Sequence, residues 1–121
     1  MIKEAYCSFE VSKLLKEKGF NERSSASYDS KGQLQEGYGY WNKTPIWYAA
    51  PTHQMAMKWL RDVHKIFIEI GTSIDLNGNY HFSYIILDKE CKYVRRGYTD
   101  FDWTYEEAVE AALKYTLENL I

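Results

Sequence analysis

The 121-residue chain carries three histidines, two cysteines and 17 carboxylates, and their spacing determines which chemistries they can share. His53, Met57 and His64 fall along one flank of a helical stretch, as the start of a metal or proton-transfer site would. His53 and His64 are eleven positions apart, about 16 Å on a helix that rises 1.5 Å per residue, too far to share one ion. The expectation is a half-exposed border of an apolar face. Asp100, Asp102, Glu106 and Glu107 gather four carboxylates within eight residues, oxygens of the kind that magnesium or calcium accepts. Their spacing fits no recognised loop, and acidic residues opening a helix are what its dipole favours without a metal. Cys7 and Cys91 have no C-x-x-C partner, so neither a disulfide framework nor a four-ligand zinc site can be written. Either cysteine with a histidine gives a nucleophile and a base, but no spacing marks such a pair. Phosphate-binding and nucleophile-elbow glycine motifs are absent, and Gly37-x-Gly39 stands alone. The chain is expected to be no enzyme and to need no metal or cofactor.

Two other groups suit binding. Lys89, Lys92, Arg95 and Arg96 interleave with Tyr93 and Tyr98, a pattern that can hold a nucleic-acid strand by charge and stacking. Edge strands carry Lys and Arg for a simpler reason, to block sheet-to-sheet aggregation. With 15 basic residues against 17 acidic ones and a formal net charge of -2, the whole molecule has no field that gathers polyanions, so nucleic acid and anionic membrane are disfavoured partners. The second group lies in residues 37–48, where Tyr38, Tyr40, Trp41, Trp47 and Tyr48 crowd around two glycines and Pro45. These breaks interrupt regular pairing, so not every ring can alternate into one core. An exposed aromatic cluster marks a contact site. Four Trp and eleven Tyr are more large rings than a small core consumes, and protein interfaces concentrate them. The favoured expectation is a non-catalytic module that binds an unknown protein or a second copy of itself. The alternative is a weak nucleic-acid-binding domain.

The elements that must position these groups read as an α+β fold in a single domain, residues 1–121. An antiparallel sheet, a three-stranded meander plus a short N-terminal hairpin, packs against three helices. Ser8 caps a helix with Val11, Leu14 and Leu15 on one face, ended by Gly19, with Phe20 folding back on it. Asp29-Ser30-Lys31-Gly32 turns Ala26–Tyr28 into Gln33–Tyr40. Pro51 and Thr52 open a helix running to about His64, its apolar face made by Met55, Ala56, Trp59, Leu60 and Val63. Ile66–Ile70 and Tyr80–Leu87 form a hairpin around Asn77-Gly78, and Cys91–Tyr98 adds an edge strand. Thr104 and Glu107 have the spacing of a capping box. The helix they open buries Tyr105, Ala108, Val109, Ala112, Leu113 and Leu120, and pairs Glu110 with Lys114 on its outer side. No apolar run suits a signal peptide or a roughly 20-residue membrane span, so a cytoplasmic location is expected.

Three strings carry a resemblance: Ser8 to Phe20 (SFEVSKLLKEKGF), Ala50 to Arg61 (APTHQMAMKWLR), and Tyr105-Glu106-Glu107-Ala108 through Leu117-Glu118-Asn119-Leu120. They resemble a family of small uncharacterised proteins encoded by gut anaerobic bacteria, their prophages and other mobile elements. The strings cover all three helices, and residues 62–102 match less clearly. The resemblance implies a phage or mobile-element context and no known activity. Residues 51–120 are also similar in order to a double-stranded-RNA-binding domain, but the last helix opens with Asp100, Asp102, Glu106 and Glu107 where such a domain presents cations to phosphates.

Overall fold

The fold is that of a computed structural model, which describes residues 2–97 and 103–121. Helix α1 (Phe9–Glu17), strands β1 (Ser24–Tyr28), β2 (Leu34–Gly39) and β3 (Tyr48–Ala49), helix α2 (His53–His64), strands β4 (Phe67–Ile74), β5 (Tyr80–Leu87) and β6 (Tyr93–Gly97), and helix α3 (Tyr105–Asn119) follow in order. The class is α+β, with three helices packed on two antiparallel three-stranded sheets ordered β2-β1-β3 and β4-β5-β6. The expected meander is the second sheet, with β6 at its edge. The expected hairpin is β1–β2, completed by a two-residue third strand that no periodicity announces.

Helix ends form where side chains satisfy the first free backbone N–H groups. Ser8 Oγ accepts from Val11 N–H at 3.1 Å, and Thr52 Oγ1 from Met55 N–H at 3.2 Å. Thr104 and Glu107 make the reciprocal capping box. Gly19 takes a positive φ of 93°, and Phe20 N–H then returns to Leu15 C=O at 2.9 Å, which drives the Phe20 ring into the core.

All three hairpins share one loop. An aspartate at its start, Asp29, Asp75 or Asp88, accepts through Oδ1 from the N–H groups two and four residues on, at 2.8–3.0 Å. The fourth loop residue is left-handed: Gly32 (φ 82°), Gly78 (φ 82°) and Cys91 (φ 61°). Cys91 therefore ends the turn, and β6 starts at Tyr93 rather than at Cys91.

The main core joins Val11, Leu15, Phe20, Trp59, Leu60, Leu113 and Leu117. A second cluster sets Tyr84 and Ile86 of β5 against Ala112 of α3, whose small side chain lets helix and sheet approach closely. The expected face of α2 is rotated. Met55 is 39% and Val63 57% exposed, while His53 at 5% and Met57 at 8% are buried. The helix centres its buried side on positions 53, 56, 57 and 60, one turn apart, and Met55 and Val63 fall outside that arc.

Candidate functional site

The N-terminal segment runs antiparallel to the chain entering α2. Cys7 N–H donates to Pro51 C=O at 2.8 Å and His53 N–H to Ala5 C=O at 2.9 Å, on either side of the Tyr6–Thr52 bridge. That pairing sets Cys7 beside His53, and α3 lays Glu110 across both. Glu110 Oε1 lies 2.8 Å from His53 Nε2 and accepts from Ser8 N–H at 2.8 Å, while Oε2 accepts from Ser8 Oγ at 2.7 Å. The N-termini of α1 and α2 thus converge on one carboxylate, the sign of charge that helix dipoles favour there. Burial pushes the Glu110 carboxyl up, and hydrogen bonds from His53 and from the Ser8 hydroxyl and N–H outweigh it, holding it below the ordinary value. Burial likewise drives the Cys7 thiol well above its usual range, reinforced by the Glu110 charge. Cys7 is fully buried, so its thiol stays protonated and is not an activated nucleophile.

This cluster corrects two expectations. His53 is buried and bonded rather than a half-exposed border. Glu110 does not pair with Lys114, which binds Glu10 at 2.9 Å and Glu118 at 3.9 Å instead. A signal for Glu110 was present, since it stands three residues before Leu113 and seven before Leu117 and shares their side of the helix. His64 is separate, its ring edge-on to Trp59 at 4.8 Å.

The aromatic segment divides. Trp41 packs on the main core, tilts against Trp47 at 5.8 Å, and donates from Nε1 to Gly37 C=O at 3.0 Å. Gly39 is required beneath it, since a Cβ there would come within 2.9 Å of the indole. Lys16 Nζ donates to Thr44 and Trp47 carbonyls at 2.7 Å each, and Tyr48 meets Phe9 edge-on. Trp41, Trp47 and Tyr48 therefore close over the core, whereas Tyr38 and Tyr40 point outward at 72% and 51% exposure.

The basic group divides too. Lys89, Lys92, Arg95 and Arg96 are all exposed, but Arg95 lies opposite Ile86 and Arg96 opposite Ile85, so the two arginines leave on opposite faces of the sheet. Arg95 covers the Tyr115 ring at 4.5 Å and Arg96 the Tyr93 ring at 5.7 Å. Tyr98, Asp100, Phe101 and Asp102 lie outside the described residues. Glu106 and Glu107 are exposed, and Glu107 is engaged in the capping box.

No described helix is long and apolar enough to cross a membrane. The chain matches no protein-family model, no curated protein and no solved structure, so its site rests on its own geometry.

One apolar surface runs on beyond the core. Residues Ile68, Ile70, Thr72 and Ile74 of β4 pair directly with Ile86, Tyr84, Phe82 and Tyr80 of β5, and alternation puts all eight on one face. The first four of these side chains in depth, Ile68, Ile70, Tyr84 and Ile86, pack in the clusters with α3, and Phe82 meets Tyr105 at the start of that helix. Beyond it, Ile74 is 60%, Tyr80 64% and Leu76 at the tip fully exposed.

Proposed function

We propose that the chain is a non-catalytic protein-interaction module that associates with a second copy of itself through the outer end of the β4–β5 hairpin. The observation that carries this is the apolar face of the hairpin running past α3, so that Ile74, Leu76 and Tyr80 remain uncovered among the described residues. Large apolar side chains grouped in this way mark contact surfaces. The patch favours a second copy because it is self-complementary: Thr72, Ile74, Leu76 and Tyr80 are uncharged, and a two-fold contact sets a surface against itself. Its one acid, Asp75, is occupied by His81 at 2.9 Å and by the loop amides. Tyr38 and Tyr40 extend the supply of exposed rings. A non-catalytic role is supported by the burial of the protonated Cys7 thiol and the assignment of Glu107 to a cap. The setting that fits the helical strings is a phage or mobile element.

Light scattering and sedimentation over a concentration series test this. The parent chain is expected to dimerise, and Ile74→Lys with Leu76→Lys to give a monomer with unchanged circular dichroism and melting temperature. A parent that stays monomeric at about 1 mM, where even roughly 4 kcal/mol of association would register, overturns the reading. So does a dimer that the two lysines leave intact.

A further inference from the structure

Cys7 Sγ, a ring nitrogen of His53 and a carboxylate oxygen of Glu110 all lie within 4.8 Å of one another, contributed by three segments distant in sequence. We propose that these three residues form a binding site for one zinc ion, with the fourth position open to solvent. The proposal stands apart from the self-association of the hairpin and on different residues.

The donor set selects the metal class. A thiolate beside an imidazole excludes magnesium and calcium, which take oxygen ligands, and suits zinc, with the carboxylate as a compatible third donor. Distances suit it as well. Zinc bonds of about 2.3 Å to sulfur and about 2.0–2.2 Å to nitrogen and oxygen place tetrahedral ligand atoms roughly 3.3–3.7 Å apart. His53 Nε2 and Glu110 Oε1, at 2.8 Å, need open by only about 0.5 Å, and the sulfur closes by no more than about 1.5 Å, movements within the reach of side-chain torsions.

The scaffold around the three donors is already fixed. Backbone hydrogen bonds join the Cys7 strand to the entry of α2, and Tyr28 Oη donates to Cys7 C=O at 2.7 Å. Ser8 directs both carboxylate oxygens of Glu110, the outer-shell orientation that metal-bound carboxylates carry. The thiol packs in the main core, and its hydrogen bond to Thr52 C=O is 4.0 Å long, so little hydrogen bonding holds the sulfur in place. A cleft of about 470 Å³ is lined by His53 and Glu110 together with Tyr6, Ser8, Trp103 and Glu106; it brings the ion to these two donors, with the buried Cys7 sulfur behind them, and gives a water molecule the fourth position. On binding, the thiol proton leaves to solvent, the proton that His53 Nε2 shares with Glu110 is displaced from that nitrogen, and neutral His53 carries its single proton on Nδ1.

The experiment uses the full chain after treatment with a chelator, with Zn²⁺ and Co²⁺ as probes. Calorimetry is expected to give one equivalent of Zn²⁺ and a melting temperature several degrees higher with zinc than without. Co²⁺ is expected to give the intense visible bands of a tetrahedral site and a thiolate-to-cobalt charge-transfer band, both removed by added Zn²⁺. Cys91→Ser should keep the charge-transfer band, Cys7→Ser should lose it, and Glu110→Gln should weaken zinc binding at least tenfold. The parent and Cys91→Ser spectra decide the matter even if Cys7→Ser does not fold. Absence of stoichiometric zinc binding by the parent overturns the proposal, as does a charge-transfer band that disappears in Cys91→Ser or persists in a folded Cys7→Ser.

Discussion

Cys91 occupies the one left-handed position in the three matching hairpin loops that is not glycine. Its φ of 61° costs an L-residue about 1–2 kcal/mol, and its side chain is exposed, so Cys91→Gly gives up no packing. Against the gain stands the extra chain entropy of a glycine, about 0.5–1 kcal/mol, which leaves Cys91→Gly about 0.5–1 kcal/mol more stable. Unfolding entropy of roughly 2.1 cal/mol/K per residue makes 1 kcal/mol worth about 4 °C in a chain of 121 residues, so the melting temperature should rise by about 2–4 °C. The other two loops calibrate the argument. Gly78 has φ 82° and nothing within 4 Å of a built Cβ, whereas a Cβ at Gly32, also at φ 82°, would come within 2.8 Å of the Phe9 ring. Gly78→Ala should therefore lose about 0.5–1 kcal/mol from backbone conformation alone, and Gly32→Ala about 1–3 kcal/mol more, because Phe9 is wedged between Tyr28 and Tyr48. Thermal melts followed by circular dichroism, with urea unfolding for the slopes, measure all three. A fall in melting temperature for Cys91→Gly, or equal costs for Gly78→Ala and Gly32→Ala, refutes the reasoning.

Trp41→Ala should cost about 2–4 kcal/mol in urea unfolding, since it removes a partly buried indole and its hydrogen bond to Gly37, while Tyr38→Ala should change stability by less than about 0.5 kcal/mol. Gly97→Ala should unfold the β5–β6 pairing, visible as lost amide protection on β6, because a Cβ there would come within 2.0 Å of the Tyr84 ring. Ser12 Oγ is buried without a hydrogen-bond partner among the described residues, so Ser12→Ala should raise stability by about 1 kcal/mol in the same assay. Asp75 is held down to about 2 by the His81 hydrogen bond and by the loop amides; a lowered carboxyl stabilises the fold above the unfolded value of about 3.9 and loses that contribution as pH falls through its folded value. Carboxyl titration by NMR should place the Asp75 midpoint near 2 and release the Asn77 and Asn79 amides in the same step.

Much of this architecture is written locally. A serine or threonine at each helix start, a glycine after α1 and an aspartate opening each hairpin act within five residues, and all are legible because their partners are near in sequence. β5 emerges with its expected bounds, Tyr80–Leu87, because its aromatic and β-branched density is bracketed by turns. β3 is not legible, since two residues carry no period and their partners on β1, Ser27 and Tyr28, lie about twenty residues earlier in the chain. The face of α2 departs from its hydrophobic pattern for a related reason. Met55 and Val63 satisfy a hydrophobic count, but the burial of His53 depends on Glu110, 57 residues away.

The candidate site illustrates the same limit from the other direction. None of Cys7, His53 and Glu110 has a partner at a motif spacing, and each alone has an ordinary structural reading: a buried thiol, a helix-opening histidine and an outward glutamate. Their meeting requires three separate facts, the Tyr6–Thr52 bridge, the Ser8 cap and the rotation of α3 that aims Glu110 between the ends of α1 and α2. The cap is visible locally, and the spacing of Glu110 to Leu113 and Leu117 gives its side of the helix but not its partners. A ligand set assembled by tertiary packing has no sequence signature, whereas a zinc finger carries its ligands in short, fixed spacings because its small fold depends on the metal. In this chain the fold has its own core and positions the donors first, so a metal bound here would tighten an existing joint between three segments rather than create it.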